Sequence, residues 1–137
     1  MKIKVLLVIP NQEVQIVKIP ANLKFIKSFI GENLYRVKLN EDTILIANND
    51  AQIDEFNRIL GKKIVLGTFL IVGIKNKHRV SLKKRQIRKF TNMFALKKHQ
   101  KKIGRYKEQY LEEFYCRQRQ IKQKNTEEHS KEFLNAA

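Results

Sequence analysis

At 137 residues the chain is one ordinary domain, or a small domain with an extension, and too short to shelter a large active-site cleft. Twenty-nine Lys and Arg against thirteen Asp and Glu give +16 and a pI near 10.1, an imbalance that favours polyanionic partners and opposes self-association. The lone Cys116 excludes an intramolecular disulfide, no run approaches the roughly eighteen apolar residues a membrane span needs, and MKIKVLLVIP lacks the apolar length and cleavage site of a secretory signal, so a cytoplasmic protein is expected.

The N-terminal part reads as strands. IKVLLVI (3–9) and VQIVKI (14–19) are β-branched runs separated by PNQE, a connection suited to an antiparallel hairpin. Asn22 then caps LKFIKSFIG, in which Leu23, Ile26, Phe29 and Ile30 share one helical face and Gly31 supplies the stop. LYRVKLN alternates with period two, and TILIAN follows across the NED turn, predicting a second hairpin. In DAQIDEFNRILG, the spacing of Ile53, Phe56, Ile59 and Leu60 predicts a helical turn, with a structured loop as the alternative. KIVLGTFLIVG reads as one strand, apolar on both parities and hence central, with Gly67 marking a bulge or a close backbone approach.

From Ser81 the period changes. Ser81 is placed to cap a helix whose apolar stripe is Ile87, Phe90, Met93 and Phe94, with Lys83, Lys84, Arg85, Arg88 and Lys89 around the rest of its circumference. Beyond it Lys97, Lys101 and Arg105 recur every fourth residue, with Lys98 and Lys102 beside them. The basic residues therefore gather on one face, and Ile103, Tyr106, Tyr110 and Phe114 on another. The last stretch, RQRQIKQKNTEEHSKEFLNAA, is polar and is expected to fray or to stay disordered in isolation. The whole is an α+β chain: residues 1–96 form a small, mostly antiparallel sheet of about five strands packed by one or two helices, and 97–137 a basic helical C-terminal extension.

These elements resemble a small domain-of-unknown-function family found mainly in bacteriophages, plasmids and integrated elements of Gram-positive bacteria. The likeness runs from about Ile3 to Phe94. It rests on the KVLLVIP strand, the Gly67, Thr68, Phe69 strand start, Ser81 and Leu82 before a helix, and the Gln86, Ile87 pair within it. It implies an α+β fold and a mobile-element setting, in which small accessory proteins act on host defence or on element gene expression. The matching residues are scaffold and imply no catalytic site. Family members are less basic, carrying acids near positions where this chain has Lys62, Lys63, Lys83 and Lys84, and the segment from Lys97 onward exceeds the usual domain.

Chemistry is sparse in the remaining residues. His78, His99 and His129 lie far apart in sequence and Cys116 has no cysteine partner, so neither a metal nor a cofactor is expected. Phosphate-cradling glycine loops and a nucleophile elbow are missing, and Glu41, Asp42, Asp50, Asp54 and Glu55 occupy turn and helix-start positions where acids are ordinary. No enzyme and no small-molecule substrate are predicted.

Charge distribution carries the functional expectation. From Phe56 to Lys107 the chain holds seventeen basic residues and not one acid. Ordinary solvated faces mix signs, because opposite charges four apart stabilise a helix by roughly 0.2–0.5 kcal/mol and like charges oppose it by as much. A dense anion explains the tolerance, and a phosphate backbone is the strongest general candidate. The expected nucleic-acid-binding residues are Lys83, Lys84, Arg85, Arg88, Lys89, Lys97, Lys98, Lys101, Lys102, Arg105 and Lys107, with Tyr106 and Tyr110 as rings on which unpaired bases can stack. No helix-turn-helix, zinc-finger or RNA-recognition signature is present, so contact is expected to be with backbone or shape. The reading is a non-enzymatic binder of RNA or DNA. In the mobile-element setting it becomes an anti-CRISPR-type inhibitor that occupies the nucleic-acid channel of a host CRISPR or other defence ribonucleoprotein. The alternative is a protein-interaction module that blocks an acidic surface of a host factor. A membrane surface is disfavoured, because the apolar helix face lacks tryptophan and leucine density.

Overall fold

The computed structural model describes residues 1–52 and 54–104, and Met1–Ile103 forms one compact unit. The first hairpin, β1 (Lys2–Val8) and β2 (Gln15–Pro20), pairs antiparallel from Lys2 with Pro20 to Leu7 with Gln15. Its connection turns through Asn11 at φ 62°, a left-handed position that asparagine tolerates. Helix α1 (Leu23–Ile30) follows. The Asn22 side chain accepts the Phe25 N–H at 2.7 Å, and the Gly31 N–H closes the other end on the Lys27 carbonyl at 2.9 Å. Gly31 sits at φ 147° with the Asn48 side chain 2.7 Å from where a Cβ would stand, so only glycine fits. The buried stripe of α1 is narrower than its sequence spacing predicts. Ile26 and Ile30 are buried, whereas Leu23 and Phe29 remain exposed, Phe29 stacking on Phe25 at 6.2 Å.

The second hairpin, β3 (Leu34–Asn40) and β4 (Thr43–Asn48), forms as the alternation predicts, with a bulge between Lys38 and Asn40. The next segment does not. Phe56, Ile59 and Leu60 lie in strand β5 (Phe56–Leu60), which turns at Gly61, φ 62°, into β6 (Lys63–Leu66) to form a separate two-stranded ribbon. The predicted single strand KIVLGTFLIVG is also two elements. Gly67, at φ 72°, breaks it between β6 and β7 (Phe69–Lys75), and β7 alone enters the main sheet. There it is central, as its double-sided apolar pattern predicts, between β1 and β4 in the order β2-β1-β7-β4-β3. A sixth strand, β8 (His78–Val80), returns along β7 through a two-residue turn at Asn76 and Lys77.

Period-two alternation sorts the core onto two faces. Ile3, Val5, Leu7, Ile19, Ile46, Leu70 and Val72 meet Ile26 and Ile30 of α1 on one side. Leu6, Val8, Leu45, Ala47, Phe69 and Ile71 face the other, where they are covered by Val65 of the ribbon, Leu82, Phe94 and Phe90 of α2 (Lys84–Met93). Each of these Val, Leu, Ile and Phe side chains contributes roughly 1.5–3 kcal/mol by leaving water. The class is α+β, mostly antiparallel, with α1 on one face and α2 plus the ribbon on the other. Among the described residues no helix is long and apolar enough to cross a membrane.

Candidate nucleic-acid interface

Helix α2 begins two residues later than a Ser81 cap requires. The Ser81 hydroxyl instead accepts the Lys4 N–H at 2.9 Å, tying the segment to β1, and Lys83 is the N-cap residue. The cap is supplied from inside the helix. The buried Gln86 amide oxygen accepts the Lys83 N–H at 2.7 Å, while its nitrogen donates to the Asp42 carbonyl at 3.1 Å and to Thr43 Oγ1 at 3.0 Å. One glutamine thus starts the helix and fastens it to the β3–β4 turn. Phe90 and Phe94 enter the core with Ile87 half-buried, but Met93, expected in the same stripe, is 40 % exposed.

With that face fixed, Lys83, Lys84, Arg85, Arg88 and Lys89 all lie exposed, and α2 carries no carboxylate. Lys89 Nζ lies 5.5 Å from the Phe90 ring centroid, a cation–π contact. Residues 96–104 are helical as well, with Lys97, Lys98, Lys101 and Lys102 exposed. Lys98 Nζ reaches back to Asn92 Oδ1 at 3.0 Å. Arg105, Tyr106, Lys107 and Tyr110, together with the fraying expected of the tail, lie outside the described residues. Among the described residues the one ion pair is Lys38 with Glu41, at 3.6 Å, and it engages none of these cations.

Two residues that sequence reasoning passed over hold this surface in place. Arg58 is fully buried on β5. Its Nε donates to the Phe94 carbonyl at 2.8 Å, its Nη1 to Asn57 Oδ1 at 2.9 Å, and its Nη2 to the Gln12 carbonyl. Burial pushes the Arg58 guanidinium below its ordinary value, and the charge of Glu13 opposes that push. His99 is buried too, stacked on Phe94 at 5.9 Å. Its Nδ1 accepts the Ile59 N–H at 3.0 Å, which leaves the proton on Nε2 to donate to the Met93 carbonyl at 2.8 Å. Arg58 and His99 therefore satisfy two carbonyls at the end of α2 and join β5 to the helical segment 96–104. An arginine in an amphipathic run and an isolated histidine give no warning of either role. The compact unit Met1–Ile103 includes most of this helical segment.

No three His, Cys, Asp or Glu side chains gather in a metal-holding group among the described residues. The open groove lined by Leu23, Lys27, Glu32 and Arg36 mixes signs and brings no acid–base pair into contact. The model of a domain of unknown function, DUF3846, matches residues 1–95. The chain belongs to the DUF3846 family. The DUF3846 match covers both hairpins, the ribbon and all of α2, and ends just before the helical segment that carries His99 and Lys97–Lys102. No curated protein and no solved structure matches the chain.

Proposed function

We propose that this DUF3846 protein is a non-enzymatic nucleic-acid binder that contacts the phosphate backbone through α2 and the helical segment after it. The observation that carries the reading is nine exposed cations on consecutive helical elements, from Lys83 to Lys102, without a carboxylate in either element. Such an arrangement is costly on its own and is relieved when phosphates replace the condensed counterions. Base recognition has no built site among these residues, which supports backbone or shape readout of RNA or DNA. In its more specific form the protein occupies the nucleic-acid channel of a CRISPR or other defence ribonucleoprotein; that form rests on the phage and mobile-element setting of the family the sequence resembles.

The test uses the purified full chain. We expect nucleic acid to co-purify and to leave on a high-salt wash, read from the absorbance ratio, and stripped protein to shift mixed RNA or DNA probes. Reversing Lys97, Lys98, Lys101 and Lys102 to glutamate should abolish the shift while circular dichroism stays unchanged. Tight binding of an acidic host protein that persists at high salt, with no shift of either polynucleotide, would instead establish the protein-blocking alternative.

A further inference from the structure

A second group of cations, none of them on the helical face just described, converges at the end of the sheet where α2 begins. Lys4 and Lys18 stand directly opposite each other on β1 and β2. Because Ile3, Val5 and Ile19 point to the α1 core, Lys2, Lys4 and Lys18 belong to the α2 face. On β7, Phe69 and Ile71 mark that same face, and the alternation places Lys75 on it, with His78 opposite Lys75 on β8. The two groups of strands meet at Ser81 and Leu82, whose hydroxyl and N–H bond the Lys4 N–H and carbonyl at 2.9 and 2.8 Å. Lys83 and Lys84 follow at once.

All of these lysines are exposed, and β1, β2, β7, β8 and α2 contain no acid. The β3–β4 turn, which Gln86 joins to α2, carries two carboxylates. Glu41 is paired with Lys38 at 3.6 Å, and Asp42 accepts the Thr43 hydroxyl at 3.1 Å. Like charges directly opposite across strands destabilise a hairpin, and a single Lys-to-Glu change at either position turns that repulsion into attraction. The Lys4–Lys18 pair therefore costs the hairpin stability.

We infer that the sheet end formed by Lys2, Lys4, Lys18 and Lys75 is a second phosphate-contacting surface, continuous with the start of α2, so that one polynucleotide backbone runs from the Lys4–Lys18 pair along α2 toward Lys97–Lys102. The inference rests on the nucleic-acid reading above and adds a partner contact outside the helices. It fits a sugar-phosphate backbone, whose repeating charges a row of spaced ammonium groups matches without base contacts.

Lys4→Glu and Lys18→Glu, made singly in the full chain, separate this role from a structural one. Binding is followed by anisotropy of a labelled mixed-sequence single-stranded RNA and of the DNA of the same sequence across a salt series, and stability by thermal melting. Each variant should melt at or above the wild-type temperature yet bind more weakly, with the slope of log K against log salt reduced by about 0.7 for the single strand. The polymer that shows the larger loss identifies the source of the phosphates. Wild-type affinity in both variants, alongside lost binding in the Lys97/Lys98/Lys101/Lys102 reversal, overturns the sheet-end surface and leaves the helical one standing. Absence of binding by the wild-type chain to either polymer overturns both. A variant that melts lower contradicts the like-charge pair itself.

Discussion

The buried Arg58 guanidinium donates to the carbonyl of Phe94 at 2.8 Å, so a cation on the small ribbon closes the C-terminal end of α2. The helix dipole makes that end partly negative, which suits a cation there. Its other partners are also carbonyl oxygens, from Gln12 and Asn57. Neutral acceptors hold this charge, and removing it strands several of them in the core. Arg58→Leu should therefore lose at least about 2 kcal/mol, since each buried polar group left unsatisfied costs roughly 1–3 kcal/mol. Arg58→Lys should recover only part, because an ammonium cannot fork between three elements. Urea unfolding at unchanged m-value measures both; a neutral Arg58→Leu would mean the ribbon and α2 are held together by apolar contact alone.

His99 predicts a pH dependence with a definite sign. Burial foremost, and then the charges of Arg58, Lys102 and Lys98, push its imidazole below the ordinary 6.5, while the bond to Met93 pushes the other way. The folded state thus holds the neutral ring, and protonation would place a second N–H against the Ile59 N–H. Unfolded chains take up the proton first, so stability is fully present above pH 6.5 and falls as the pH drops below it toward the lower folded value. His99→Asn keeps an acceptor for Ile59 but cannot titrate. It should lower stability at pH 7 and flatten the loss between neutral pH and pH 5; an unchanged pH slope in the variant would remove His99 as its source.

Lys77 occupies a position that lysine does not favour. With Asn76 at φ 51° and Lys77 at φ 67°, the β7–β8 turn has both central residues left-handed, the geometry in which glycine is preferred second. Lys77→Gly should raise stability by up to about 1 kcal/mol, the cost of placing an L side chain there less the added freedom of the unfolded glycine. A lower urea midpoint for the variant would show that the lysine side chain contributes more than its backbone costs.

Much of the sheet is legible in the sequence because its determinants are local. IKVLLVI, VQIVKI, LYRVKLN and TILIAN announce strands by composition and alternation, and Asn22 with Gly31 brackets α1. The ribbon is not legible, since FNRIL has apolar residues at helical as well as strand spacing, and the residue that decides its direction is a buried arginine, contrary to ordinary burial preferences. Gly67 is noticeable, but whether it bends a strand or separates two depends on a left-handed φ that composition does not specify. Ser81 misleads because its hydroxyl has two possible partners, and the long-range one on Lys4 wins. At the candidate interface, the cations of α2 follow from pattern alone. The Lys4–Lys18 apposition needs strand register to be seen, and His99 needs tertiary contacts with Ile59 and Met93.

The central claim is that an acid-free basic surface on this fold exists to meet phosphates, and the salt dependence of binding tests it most directly. With about six contacts, log K for a single-stranded probe should fall against log salt with a slope near −4, and for duplex DNA nearer −5. A slope near zero, or no binding of either probe at low salt by well-folded protein, would contradict it.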